Sequence, residues 1–337
     1  MDWNIIGHEW AVNLLKHHVA TGELRHAYLL TGSQGVGRRT LALRFSQAIN
    51  CLQPPAPGEP CLTCRPCMQI EKMQHPDLHL LQAEQLGGTL KVDQVRELQR
   101  SLSRTPYEAH YQIAWLLRFE EAHISAANAL LKTLEEPGSK VILLLTAESV
   151  ERVIPTIASR CEILRLQPLP SHVLSQALSE NWGIPPDEAA LFAALSGGRP
   201  GYAHYLYQNP SELDQRNTWL DEHARMLESG LVDRFRFAEQ ASKEKDTLLK
   251  LLPVWLSYWR DVLLQAARTS QSPVNLDRKK EILGVAGRMD IRRARQVVTA
   301  LERTLLMLNQ NINTRLALEV LMLELPAVSK DKLVKEW

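Results

Sequence analysis

Between Ala27 and Leu166 the chain alternates short, almost continuously apolar runs with stretches whose apolar residues recur every three or four positions. The runs predict strands covered on both faces and the stretches predict amphipathic helices, so their alternation predicts βαβ units feeding a mainly parallel sheet. Ala27 to Thr31, Tyr111 to Leu117 and Val141 to Thr146 are the clearest strands, and Ile163 to Leu166 is the last apolar segment of this region. Ser125 to Glu136 reads as a helix with Ala127, Leu130, Leu131 and Leu134 on one face. Pro137 and Gly138 end it, because proline cannot continue the hydrogen-bond ladder and disfavours helix in the residue before it.

From Gln167-Pro168-Leu169-Pro170 onward the pattern is helical, with short breaks at Gly183-Ile184-Pro185-Pro186, Gly197-Gly198-Arg199-Pro200-Gly201 and Asn209-Pro210, and no further strand is expected. Three domains are expected: residues 1–167 as the α/β domain, 168–208 as a small helical unit and 209–337 as a helical domain. Trp255, Tyr258 and Trp259 share a helical stripe, which reads as core or subunit contact rather than a base-stacking platform.

Composition narrows the function. At 337 residues the chain exceeds what one hydrophobic core usually supports, and 45% apolar with 23% charged residues is an ordinary globular balance. The net charge of +1 gives no overall attraction to polyanions, so any nucleic-acid contact has to come from a local patch or from partners. Neither an apolar run of about 18 residues nor a basic, apolar leader is present, so no membrane association and a cytoplasmic location are expected. Four of the five cysteines fall between Cys51 and Cys67. In a reducing compartment that crowding points to metal rather than disulfides.

Gly32-Ser33-Gln34-Gly35-Val36-Gly37-Arg38-Arg39-Thr40 follows the first strand and precedes an apolar helix, as a phosphate-binding loop must. The working motif needs Lys after the last glycine and then Ser or Thr to hold magnesium; here Arg38 and Arg39 stand in those places. Arginine is bulkier and forked, and Arg39 has no oxygen for a cation, so a retained fold without turnover is expected. Thr40 supplies a hydroxyl only if the loop slips by one residue. Whether the backbone amides still cradle phosphate is left open by these side chains. The acidic partner should lie at the end of the strand Tyr111 to Leu117. Glu120-Glu121-Ala122-His123 imitates an Asp-Glu-Ala-His box, yet a gapless count back from Asn128 puts Leu117 and Arg118 where the acids belong, and the gapless count is preferred.

Cys51, Cys61, Cys64 and Cys67 are separated by nine, two and two residues, with Pro54, Pro55, Pro57, Gly58 and Pro60 bending the chain back on itself. Four thiolates suit a closed, tetrahedral structural zinc site with no open coordination position. His75 and His79 lie close by but read as packing or surface residues. Ser159-Arg160-Cys161 offers either a surface charge or an arginine finger for a neighbouring subunit's nucleotide, and Thr146 is either a satisfied strand-end hydroxyl or a nucleotide sensor.

Taken in order, Arg25-His26-Ala27-Tyr28, the phosphate loop, the four-cysteine insert, Ala126-Ala127-Asn128-Ala129-Leu130-Leu131-Lys132-Thr133-Leu134-Glu135-Glu136-Pro137 and Ser159-Arg160-Cys161 resemble the bacterial DNA polymerase III clamp-loader family of AAA+ proteins. Asn311-Ile312-Asn313 with Arg315-Leu316-Ala317-Leu318-Glu319 is similar to that family's C-terminal collar segment. Within the family the degenerate loop, zinc module and kept Ser-Arg-Cys fit the delta-prime type. The resemblance implies an AAA+ domain, a helical lid and an all-α collar joined to gamma/tau and delta subunits in a five-subunit ring. That ring would load the sliding clamp on primed DNA. It further implies that Arg160, with Ser159 beside it, acts on an adjacent gamma/tau-type ATP site, and that Arg199 falls where related ATPases place a lid sensor. Two other readings stay open: an active gamma/tau-type ATPase using Arg38 and Thr40, and a zinc-stabilised DNA-binding protein outside replication.

Overall fold

The computed structural model describes residues 3–85, 87–310 and 313–327. The chain divides into two compact units, one of Met1–Asn181 with Gly198–Tyr202, the other of Trp182–Gly197 with Ala203–Trp337.

The first unit holds a five-stranded, all-parallel sheet in the order β2-β3-β4-β1-β5, formed by β1 (Ala27–Thr31), β2 (Leu78–Leu81), β3 (Gln112–Leu116), β4 (Val141–Ala147) and β5 (Glu162–Arg165). Helices α1 (Glu9–Thr21), α2 (Arg38–Ile49), α3 (Arg65–Glu71), α4 (Val92–Leu102), α5 (Ile124–Glu135) and α6 (Pro155–Ala158) accompany it, and α7 (Ser171–Trp182) follows. Successive strand residues point to opposite faces. Tyr28, Leu30, Ile113, Trp115 and Leu144 therefore pack with Leu15 and Phe45 of α1 and α2, whereas Leu29, Ala114, Leu116, Leu143 and Leu145 pack with Val95, Leu130 and Ile157 on the other side. This double coverage is why β1, β3 and β4 are apolar throughout, and it gives this unit a parallel α/β architecture. The expected helix Ser125 to Glu136 is α5, capped by His123, whose ring nitrogen accepts from Ser125 N–H at 3.3 Å. β2 was not among the expected strands; it is a half-exposed edge of four residues, so its apolar signal is weak.

Among the described residues the second unit is helical: α8 (Pro186–Leu195), most of α9 (Pro200–Gln208), α10 (Pro210–Glu228), α11 (Leu231–Ala241), α12 (Lys245–Ala266), α13 (Lys279–Ala286), α14 (Ile291–Asn309) and α15 (Thr314–Glu324). Trp255, Tyr258 and Trp259 are buried in its core around His223, as the core reading of that stripe expected. Asn311 and Ile312 of the collar-like segment lie outside the described residues.

One buried cation joins α10, α11 and the end of α15. Arg234 donates to the carbonyls of Met226 in α10 at 2.8 Å, of Met322 in the last turn of α15 at 3.1 Å, and of Leu325 and Pro326 just past it at 2.7 and 2.8 Å, satisfying groups that helix ends leave without intrahelical partners. Arg234→Met is expected to cost about 3 kcal/mol or more, since each buried carbonyl stripped of its donor loses roughly 1–3 kcal/mol. A lowered denaturant midpoint at unchanged slope would register that loss; an unmoved midpoint would contradict it.

Candidate functional site

The loop after β1 turns on glycines because nothing larger fits. Gly32 has φ +146°, and a Cβ there would lie 2.4 Å from the Leu166 carbonyl oxygen; Gly35 has φ +83°, with its Cβ position 3.0 Å from Tyr202. Residues 198–202 come back over the loop, and Gly201 N–H donates to the Gly35 carbonyl at 2.8 Å. His8 Nε2 meets the Val36 carbonyl at 2.9 Å. Among the described residues the backbone N–H groups of Gly37, Arg38, Arg39 and Thr40 have no protein acceptor, the usual state of the first turn of a helix. They open on a cavity of about 1110 Å³ lined by the loop, by the end of β3 and by the end of β4.

Arg38, Arg39 and Thr40 all line this cavity. Burial pulls the Arg38 guanidinium below its usual pKa, Glu120 and Glu148 pull it back up, and Arg118 adds to the fall. Its Nη1 is buried without a hydrogen-bond partner, and so are Oε2 of Glu120 and Oε2 of Glu121. Arg39 and Thr40 are exposed.

At the end of β3 the structure places Leu117 and then Arg118, the residues of the gapless count, while Glu120 and Glu121 lie one step on in a 3-10 turn, Phe119–Glu121. All four line the cavity. Arg118 adopts φ +50° and pairs through Nε with Glu121 at 2.9 Å, and its backbone N–H donates to Thr146 Oγ1 at 3.0 Å. Thr146 is thus a buried, satisfied strand-end hydroxyl that also faces the cavity. Glu148 and Arg152, which pair with each other, also line it and carried no sequence signal, although Glu148 stands two residues past Thr146.

The four cysteines converge. Their Sγ atoms all lie within 4.8 Å of one another, Cys51 and Cys67 buried, Cys61 and Cys64 half-buried. Tetrahedral zinc with bonds of about 2.3 Å sets its sulfurs roughly 3.8 Å apart, so this cluster is close to the required size and its donor set suits a structural ion. Backbone N–H groups of Cys61 and Cys64 donate to Cys51 Sγ and Cys61 Sγ, each at 3.2 Å, as thiolate ligands need. Burial alone would raise the Cys61 thiol, but hydrogen bonds from Cys64 and Thr63 bring it down to about 6. Leu62, at φ +62°, makes the tight bend between Cys61 and Cys64, and Cys67 sits in the first turn of α3. The insert is fixed to its own unit: Gly58 accepts from Trp3 Nε1 at 3.1 Å, Lys16 pairs with Glu59 at 3.1 Å, and Gln47 donates to the Cys67 carbonyl at 2.8 Å. His75 and His79 do not join the sulfur cluster.

Arg160, half-buried, lies at the turn after α6, away from the cavity lining. Its Nη2 pairs with Glu135 at 2.7 Å and its Nη1 donates to the Thr156 carbonyl at 2.8 Å, which Ser159 Oγ also reaches at 3.2 Å. Arg199 stands over the ring of Tyr202 at 4.7 Å and reaches the Gln34 carbonyl at 3.4 Å, beside the loop rather than in the cavity lining.

Residues 7–170 match the family model described as "DNA polymerase III, delta subunit". The DNA polymerase III subunit delta' of Bacillus subtilis is 36% identical over 55% of this chain and 55% of its own, and that of Pseudomonas aeruginosa is 36% identical over 54% and 56%. The DNA polymerase III subunit gamma of Buchnera aphidicola is 28% identical over 78% of this chain and 74% of its own. The chain thus spans just over half the length of the delta-prime relatives it matches. The matched segment is the one that builds the phosphate loop, the cysteine cluster and the Arg160 turn, and it is over these residues that the chain is similar to the DNA polymerase III delta-subunit family and to its delta-prime members.

Proposed function

We propose that this chain is a stator of the DNA polymerase III clamp loader, a subunit that lends Arg160 to a neighbouring gamma/tau-type ATP site and turns over no ATP of its own. The observation that carries this reading is the contrast between two arginines. Arg38 stands where the phosphate-binding lysine belongs, half-buried between Glu120 and Glu148. Arg160 is partly exposed and lies outside its own cavity lining, which supports a role toward another subunit. Arg39, in the magnesium-ligand position, offers no oxygen to a metal ion. In this reading residues 168–208 act as the lid and 209–337 as the collar, and α15 supports a collar role because Leu316, Val320 and Leu323 form an exposed apolar stripe at helical spacing. The four cysteines hold a structural zinc ion, and the work is cytoplasmic. Partners are the gamma/tau and delta subunits and the sliding clamp, with primed DNA met mainly through the assembly.

Turnover by the purified chain tests the first half of this reading. With ATP and magnesium the chain alone is expected to give no hydrolysis above background, and to copurify with gamma/tau, delta and clamp when these are coexpressed. Robust magnesium-dependent turnover by the lone chain would instead favour an active gamma/tau-type ATPase, a reading that draws on the gamma likeness and on the reach of Glu120 and Glu121 into the cavity.

A further inference from the structure

Helix α14 opens with an arrangement that helix electrostatics disfavours. Arg292, Arg293 and Arg295 crowd its first turns, where the positive end of the helix dipole repels cations. With Arg303, two turns beyond Arg295, they line an open groove of about 580 Å³ that also carries Gln296 and Thr299 and has Glu324 of α15 as its acidic member. Glu324 is already engaged, its carboxylate with Arg303 and its backbone carbonyl with Arg293 Nη2 at 3.0 Å. Asp290 caps the helix by accepting from Arg293 N–H at 2.7 Å, and Glu302 pairs with Arg260 at 3.0 Å. Arg292 and Arg295 are exposed and form no ion pair or hydrogen bond among the described residues.

We infer that this groove binds the sugar-phosphate backbone of a nucleic acid, giving the second unit a direct contact of its own. Arg292, Gln296, Thr299 and Arg303 follow one another at steps of three or four residues, so they share a face, and at 1.5 Å rise per residue they extend over roughly 16 Å. One strand of a duplex places a phosphate about every 3.4 Å of rise, so four or five phosphates pass along that row. Guanidinium forks, an amide and a hydroxyl are the donors that phosphate oxygens accept from without regard to sequence. An acidic peptide would need an apolar anchor for comparable hold; the groove offers the Ala300 methyl and nothing larger. A bound polyanion also removes the repulsion among the arginines and between them and the helix dipole. This inference stands apart from the reading of residues 7–170, because the groove belongs to the second unit and its test uses neither ATP nor other subunits.

The experiment is fluorescence anisotropy of the full chain with a labelled short single strand and a labelled short duplex, between about 50 and 200 mM salt. Arg292→Gln combined with Arg295→Gln is expected to weaken binding and to lower the slope of log K against log salt by roughly 1.4–1.8, about 0.7–0.9 for each lost phosphate contact. Arg292→Lys with Arg295→Lys keeps the charge and is expected to keep the slope, which separates charge from packing. The inference is overturned if the unmodified chain binds neither oligonucleotide at the lowest salt, or if the glutamine pair leaves the slope unchanged. It is equally overturned if polyglutamate, or vesicles of phosphatidylserine and phosphatidylcholine, engage these arginines more tightly than either oligonucleotide does.

Discussion

Arg160→Ala, placed in a loader reconstituted with gamma/tau, delta and clamp, is expected to lower hydrolysis at one ATP site on the order of a thousandfold while leaving the chain's own melting temperature unmoved. The size follows from the scale of arginine fingers, whose fixed positive charge stabilises charge on the transferring phosphoryl group. The unmoved melt follows from geometry. Arg160 is partly exposed and holds Glu135 and the Thr156 carbonyl, and an ion pair at the surface contributes about 0–1 kcal/mol. On the proposed reading, the same small figure would let the side chain leave Glu135 for a neighbour, because the contact given up is weak beside what a desolvated phosphoryl group would return. Arg160→Lys should recover little, because one ammonium cannot reproduce the planar fork. The measurement is clamp- and DNA-stimulated single-turnover hydrolysis, and rates equal to those of the unmodified loader would remove the finger from the proposal.

The sequence was informative where burial is two-sided and silent where it is shared between distant segments. β1, β3 and β4 are apolar at nearly every position because helices cover both their faces, so periodicity alone located them. β2 escaped because Leu78, His79 and Leu80 are only partly covered at the sheet edge, and β5 begins at Glu162, ahead of the apolar run that marked it. The cysteine cluster could be read from spacing since all four thiols lie in one local loop. The cavity could not: Arg118, Glu148 and Gly201 reach it from three separate segments, and the bond from Gly201 to Gly35 joins residues whose neighbourhood nothing local encodes. In the acidic turn, local counting stated two registers, and the fold places both pairs at one cavity, because Arg118 at φ +50° turns the chain sharply enough for Glu120 and Glu121 to follow Leu117 in. The arginine groove divides in the same way, with Arg292 to Arg295 visible as a run, Arg303 on the same helical face, and Glu324 of α15 joined to them by packing between two helices.

Removing the metal is expected to have the second large effect, and the route by which stability is lost is specific. In small free-standing modules a structural zinc ion contributes about 10–16 kcal/mol of apparent folding free energy. Here the insert leans on a unit with its own sheet core, through Trp3, Lys16 and Gln47, so the loss is smaller; at about 5 kcal/mol it would lower the melting temperature of that unit by roughly 10–20 °C. Cys67→Ala should reproduce the effect of a strong chelator, because Cys67 is the fully covered ligand in the first turn of α3 and its loss opens the coordination shell from inside. Thiol counting then distinguishes metal loss from general loosening. Before chelation no cysteine should react quickly with a thiol reagent, since on this reading four are held as ligands and burial pushes the fifth, Cys161, up to about 12. After chelation the half-buried Cys61 and Cys64 should react first, with Cys161 still slow. One zinc per chain, lost together with that protection, is the expected stoichiometry; a metal-free chain whose melt ignores chelator would show that the four sulfurs gather without an ion.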